Sequence, residues 1–223
     1  MKSSPLPMNI FEQEHAARCA KGRVVVLDDD TTIVLALAAL LELEGYACET
    51  HASAEAYLQV LHYNRPSFPG PHCVLSDLMM PGMNGLELQA QLAALGDTPL
   101  LLMSGGSGVN EAVSGFRGGA LDFLVKPIEA DTLLAAVARA LDVSRERQRL
   151  QQRKAEMAAR KASMTERERG VARLVAQGRI NSEIAHDMGI ALRTVKFHRQ
   201  RVMEKLQAQT VADLVRIADE AGL

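Results

Sequence analysis

Short apolar runs that stop abruptly at a polar or charged residue recur through the first half of the chain. Val24-Val25-Val26-Leu27 ends at Asp28-Asp29-Asp30, Cys73-Val74-Leu75 leads into Asp77, Pro99 through Met103 into Ser104, and Leu121 through Val125 into Lys126-Pro127. Runs this short and this β-branched read as strands buried on both faces, and a weaker stretch at 46–50 supplies a fifth. Between and after them apolar residues recur at helical spacing, over 33–43 with Gly45 as C-cap, then over roughly 53–63, 85–94, 109–117 and 130–141. Asp30 is assigned to capping the first helix. Five strands alternating with five helices specify an α/β unit: a (βα)5 doubly wound parallel sheet with helices on both faces.

In an open parallel sheet, function collects at the carboxyl ends of the strands. Asp28 and Asp29 follow the first strand, Asp77 the third, Ser104 the fourth and Lys126 the fifth. Singly, each has a bland explanation as a helix cap; together, in this order, they describe a pocket. Carboxylates about 5 Å apart repel by roughly 3 kcal/mol at an effective dielectric near 20. Lys126 offsets one charge, and a hard divalent cation such as Mg²⁺ neutralises the rest while leaving room for a phosphate oxygen. A carboxylate beside Mg²⁺ and a lysine can attack phosphorus and become an aspartyl phosphate. The glycine cluster Gly105-Gly106-Ser107-Gly108 is neither a P-loop nor a dinucleotide fingerprint.

The net charge of −2 hides a split: residues 1–141 hold 8 Lys/Arg against 16 Asp/Glu, and residues 142–223 hold 17 against 11. An acidic front and a basic back suggest two modules with different partners, the second a polyanion. Residues 1–22 lack the apolar core of a secretory signal and carry Glu12 and Glu14, so they read as a frayed extension. No run of about 18 apolar residues occurs, which excludes a membrane helix. Cys19, Cys48 and Cys73 are odd in number and widely spaced, as expected of reduced thiols in a cytoplasmic protein. Residues 142–163 contain no Gly or Pro and 7 Lys/Arg against 3 Asp/Glu. The preceding helix is expected to continue through them as a semi-rigid connector. The seven-residue spacing of Leu150 and Met157 leaves a short coiled-coil seam as the other reading.

The stretches VVVLDDD (24–30), SDLMMPGMNGLEL (76–88), LLLMSGG (100–106) and GALDFLVKP (119–127) resemble the receiver domain of bacterial two-component response regulators, a flavodoxin-like fold. The resemblance covers 23–141 and is carried by Asp77, Met80, Pro81 and Gly85 between a DD pair and a KP pair. It implies that Asp77 is the phosphoacceptor. Asp28, Asp29, Asp77 and the backbone carbonyl of Met79 would bind Mg²⁺, and Ser104 and Lys126 would hold the phosphate. Phe123 would be the aromatic switch residue, and the peptide before Pro127 is expected to be cis.

Residues 164–223 are helical in pattern, broken at Gly178, Gly189 and Gln207–Gln209 into four short helices of a small all-α domain. The segments at about 181–188 and 192–206, joined by Met188-Gly189-Ile190-Ala191, have helix-turn-helix spacing. On a helical wheel Val195, Val202 and Leu206 point inward, whereas Arg193, Lys196, Phe197, Gln200 and Arg201 form a cationic, amide-bearing outer face. Arg199 lies near the apolar arc, where an internal salt bridge and a DNA contact are equally open to it. Thr165-Glu166-Arg167-Glu168, Asn181 with Glu183-Ile184-Ala185, and Thr194-Val195-Lys196 with His198 resemble the LuxR-type helix-turn-helix. With the receiver this is similar to the NarL/FixJ group. That resemblance implies DNA contacts from Arg193, Thr194, Lys196, Phe197, Gln200 and Arg201. Ala191 stands where the group often carries a capping Ser, and either Thr194 compensates or the cap is lost.

These readings describe a cytoplasmic, phosphorylation-activated transcriptional regulator rather than an enzyme. A sensor histidine kinase would phosphorylate it, and a homodimer would bind double-stranded promoter DNA at half-sites about one helical turn apart. Two alternatives stand beside it: a Mg²⁺-dependent aspartyl-phosphate phosphatase, and a constitutive DNA binder with a vestigial receiver.

Overall fold

The computed structural model describes residues 21–64, 70–96, 98–106, 113 and 115–220. The N-terminal extension through Ala20, with Cys19, lies outside the described residues, as do most of the helix expected at 109–117 and half of the glycine cluster.

Five parallel strands form one sheet in the order β2-β1-β3-β4-β5. They are β1 Arg23–Leu27, β2 Ala47–His51, β3 His72–Asp77, β4 Leu100–Ser104 and β5 Asp122–Val125. The expected strands match these within a residue or two, and Asp77 and Ser104 prove to be the last residues of their strands rather than the first beyond them. Alternation along each strand divides the core between the two faces. Val24, Val26, Cys73, Leu75, Leu101 and Met103 pack on one side, with Leu41 of helix α1 (Thr31–Leu43) and Leu133, Val137 and Leu141 of helix α4 (Ala130–Ala162). Val25, Leu27, Val74, Leu100 and Leu102 pack on the other, with Tyr57 of α2 (Ala54–Asn64) and Leu88 and Leu92 of α3 (Gly85–Leu95). Truncating a fully buried leucine such as Leu101 would cost about 2–5 kcal/mol.

Cys48 and Cys73 pair with the same residue, Val24, from opposite sides of β1. Two strand spacings separate them by roughly 9–10 Å, beyond the reach of a disulfide. Burial pushes both thiols up to about 12, so they serve as apolar filling.

Helix α4 runs for 33 residues without a break. Two compact units divide within it, the first ending at Gln148 and the second beginning at Arg149. The first unit claims the helix past residue 141 through specific bonds: the His72 amide donates to Ser144 Oγ at 3.0 Å and Gln148 Nε2 donates to the Gly70 carbonyl at 2.8 Å.

In the second unit the helices α5 (Glu166–Ala176), α6 (Asn181–Met188), α7 (Leu192–Leu206) and α8 (Val211–Glu220) enclose a core of Val171, Val175, Ile184, Val195, Val202, Leu206 and Leu214. Thr165 and Glu168 form a reciprocal capping box, the physical content of the Thr-Glu-Arg-Glu motif. Met157 packs against this unit's own core whereas Leu150 is 45% exposed. The coiled-coil reading is therefore corrected: one of its two seam residues is spent inside the domain. Among the described residues no helix is long and apolar enough to cross a membrane.

Candidate functional site: an acidic strand-end pocket and an exposed helix face

At the carboxyl edge of the sheet, β1, β3 and β5 bring Asp28, Asp77 and Lys126 together. Asp28 is 2% and Asp77 6% exposed. Lys126 Nζ donates to Asp28 Oδ2 and to Asp77 Oδ1, each at 2.6 Å. Burial alone would pull the ammonium's pKa down, but the hydrogen bonds it donates to both carboxylates, and their charges, outweigh it, so the pKa is raised above the ordinary lysine value. The remaining oxygens are also occupied: Asp28 Oδ1 accepts from the Asp30 amide at 3.0 Å, and Asp77 Oδ2 from the Met79 amide at 2.8 Å. Ser104, 3% exposed, exchanges 3.2 Å bonds with the backbone of Gly106. Its carbonyl takes the Lys126 amide at 2.7 Å, which ties the ends of β4 and β5. Phe123 is half-buried against the core cluster that holds Leu102, and the Lys126–Pro127 peptide is cis.

Asp29 departs from the expected convergence. It is exposed, and among the described residues no three His, Cys, Asp or Glu side chains stand close enough to hold a metal ion. Neighbouring residues of an extended chain project to opposite sides, so with Asp28 turned onto Lys126, Asp29 faces outward. Its neighbour Asp30 caps α1, accepting from the Thr32 amide at 2.8 Å. The chemistry of the donor set still fits Mg²⁺: two convergent carboxylates share a single ammonium, a third follows in sequence, and all the donors are hard oxygens.

The loop after Asp77 is fixed along its length. The Leu78 amide bonds the Met103 carbonyl at 2.7 Å, and the Gly85 amide bonds the Leu78 carbonyl at 2.9 Å. Glu55 on α2 accepts the Met83 amide at 2.7 Å, and Asn84 and Glu87 form the capping box that starts α3. The motif glycine has a steric reason: a Cβ on Gly85 would lie 2.8 Å from the Asp77 carbonyl oxygen and 2.9 Å from a Leu102 methyl. No local periodicity announces the Glu55 anchor, which joins positions 28 apart.

In the second unit α7 buries Val195, Val202 and Leu206, the three positions the wheel turned inward. Arg193, Lys196, Phe197, Gln200 and Arg201 are exposed, and Thr194 is half-buried. Among the described residues Arg199 pairs with an amide rather than an acid: its Nη1 donates to Asn181 Oδ1 at 2.5 Å, fastening α7 to the start of α6. Ala191 begins α7 with no side-chain cap, its carbonyl taking the Thr194 and Val195 amides. Lys205 bonds the buried Glu168 at 2.7 Å. Sequence reasoning passed over Glu204, which accepts from Gln200 Nε2 at 3.0 Å and from Arg201 Nη1 at 3.1 Å, although the i,i+4 and i,i+3 spacings were readable.

Comparison with known proteins matches residues 24–138 to the response regulator receiver domain and residues 162–218 to the bacterial regulatory proteins of the luxR family. The transcriptional regulatory protein FixJ of Azorhizobium caulinodans is 39% identical over 90% of this chain and 93% of its own length. FixJ of Bradyrhizobium diazoefficiens is 36% identical over 91% and 97%. Among solved structures, the response regulator StyR superposes with a TM-score of 0.81 at 34% identity, covering 89% of this chain and 98% of that one. These relatives are regulators rather than enzymes, which removes the phosphatase alternative. An aspartate–lysine pocket at the strand ends and a helix-turn-helix presenting a cationic face thus belong together: the chain is a member of the NarL/FixJ group of response regulators, a phosphorylation-activated transcriptional regulator with a receiver domain and a LuxR-type DNA-binding domain.

Proposed function

We propose that Asp77 accepts a phosphoryl group from a partner sensor histidine kinase, and that the modified protein binds double-stranded promoter DNA as a homodimer in the cytoplasm. The observation that carries this reading is the buried Asp77 carboxylate, held between Lys126 Nζ at 2.6 Å and the Met79 amide at 2.8 Å. A carboxylate oxygen so fixed is aimed without side-chain freedom, the condition under which an attack on phosphorus is fast. One Asp77 oxygen forms the bond to phosphorus while the bond from phosphorus to the donor's leaving group breaks. Mg²⁺, held by Asp28, Asp29, Asp77 and the Met79 carbonyl, would neutralise the phosphoryl oxygens when bound.

Phosphorylation adds about −2 charge, which this chain must absorb with its own groups. Lys126 is already in contact with the acceptor and pairs with the new anion. Ser104 gives up its bonds to Gly106 and turns its hydroxyl to a phosphate oxygen. Because the ends of β4 and β5 are bonded to each other, that movement is felt at Phe123, which turns further inward and changes the surface of the last two strand–helix units. On the DNA side Phe197 and Gln200 meet base edges or the groove, Lys196 meets the groove and the phosphate at its edge, and Arg193, Thr194 and Arg201 meet phosphates.

Footprinting with and without acetyl phosphate and Mg²⁺ tests the whole chain of events. Protection that appears only with both, and not in the Asp77→Asn protein, is the result expected. Equal protection in every case would leave a constitutive binder.

A further inference from the structure

The exposed face of α7 carries one group of the wrong sign. Glu204 is the only acid on the helix, and at 100° per residue it falls between Gln200 and Phe197, amid the residues assigned to DNA. Both of its oxygens are engaged, one by Gln200 and the other by Arg201. The Arg201 guanidinium also lies 5.5 Å from the centre of the Phe197 ring. Three of the six residues read as DNA contacts are thus gathered around one carboxylate.

Building on the assignment of Gln200 and Arg201 to DNA, we infer that Glu204 is a specificity-determining residue that weakens binding to non-cognate sequence. On random DNA the attraction is almost wholly between phosphates and cations. There Glu204 cancels Arg201 and repels the phosphates that approach it, and nothing draws Gln200 away. On the cognate sequence Gln200 and Arg201 find partners on base edges and backbone, which compensate for the bonds given up to Glu204. Specificity is the difference between these two affinities, and a carboxylate that penalises the wrong partner raises it.

The test uses the full-length protein, treated with acetyl phosphate, and two probes: a duplex recovered by the wild-type protein from a random pool, and a scrambled duplex of equal length. Glu204→Gln keeps the shape and the helix propensity and removes the charge. It should tighten binding to the scrambled duplex by about three- to tenfold and to the selected duplex by clearly less, so that the ratio of affinities falls. The salt dependence on the scrambled duplex should steepen by about 0.9 as Arg201 becomes available to a phosphate. Equal tightening on both probes would reduce Glu204 to a bulk charge and overturn the proposal. So would weaker binding to the selected duplex alone, which would make Glu204 a direct base contact. Gln200→Ala and Arg201→Ala separate the two levels of the claim. If neither changes either affinity, the assignment of this face to DNA falls and takes the proposal with it; if both weaken selected-duplex binding while Glu204→Gln leaves the ratio intact, only the proposal falls.

Discussion

The strand-end pocket and the α7 face solve opposite problems. In the pocket Asp28, Asp77 and Ser104 are at most 6% exposed and each is hydrogen-bonded, whereas on α7 Phe197 and the Arg201 side chain are each 54% exposed. A buried charge without a partner costs several kcal/mol, so the bonds among the pocket residues are obligatory and disclose their roles. A surface ion pair such as Arg201–Glu204 is worth about 0–1 kcal/mol and yields readily to a better partner. Substitutions in the pocket should therefore disturb folding and signalling together, while those on α7 should disturb DNA binding alone.

The largest effect expected is at the acceptor. Asp77→Asn should abolish labelling by acetyl phosphate, seen as loss of the shifted band on a phosphate-affinity gel, and should lower the receiver's stability as the charge opposite Lys126 is lost; labelling that persists would put the acceptor elsewhere. Next comes Lys126→Met, which leaves two buried carboxylates without their cation and should cost about 3–5 kcal/mol in urea unfolding of the receiver. The folded pKa of Lys126 is raised, so its contribution is complete below the unfolded value of about 10.5 and is lost only as pH rises past the folded one. The deficit should accordingly stay constant from neutral pH to about pH 9. A deficit under about 1 kcal/mol would erase the contrast between pocket and surface.

On the exposed side, Lys196→Ala should weaken promoter binding roughly tenfold, about 1.4 kcal/mol, and lower the salt slope by about 0.9 with no change in melting temperature. An unchanged slope would show that Lys196 touches no phosphate. Ala191→Ser supplies the absent cap of α7 and should stabilise the second unit by about 0.5–2 kcal/mol in thermal unfolding. The smallest effect is acidic. Burial pushes Glu168 upward, but the hydrogen bonds from Lys205 and Thr165 prevail and hold its carboxyl below the usual 4.5. Its stabilisation is present above that value and is lost as pH falls through the lower folded pKa, so Glu168→Gln should flatten the acid limb of stability below about pH 4.5.

Much of this was readable from local pattern. Strand alternation and abrupt polar stops at Asp28, Asp77, Ser104 and Lys126 announced the pocket, and the 100° wheel placed Val195, Val202 and Leu206 inside. What escaped has a common physical cause. The Glu55–Met83 anchor and the Arg199–Asn181 bond join residues 28 and 18 positions apart, where no periodicity links the partners. The different placing of Asp28, turned onto Lys126, and of exposed Asp29 was not readable, because a run of three aspartates carries no record of which one turns inward. Met157 was ambiguous because a heptad spacing looks the same whether it meets another chain or its own domain.

The bare position at the start of α3 has a further consequence. With the acceptor's carbonyl oxygen 2.8 Å from where a methyl would sit, Gly85 is the hinge pin on which the reactive carboxylate and the following helix are seated as one piece. Even alanine there would drive a wedge between them. An uncharged atom, far smaller than any catalytic group, would then silence the relay as thoroughly as removing the acceptor itself.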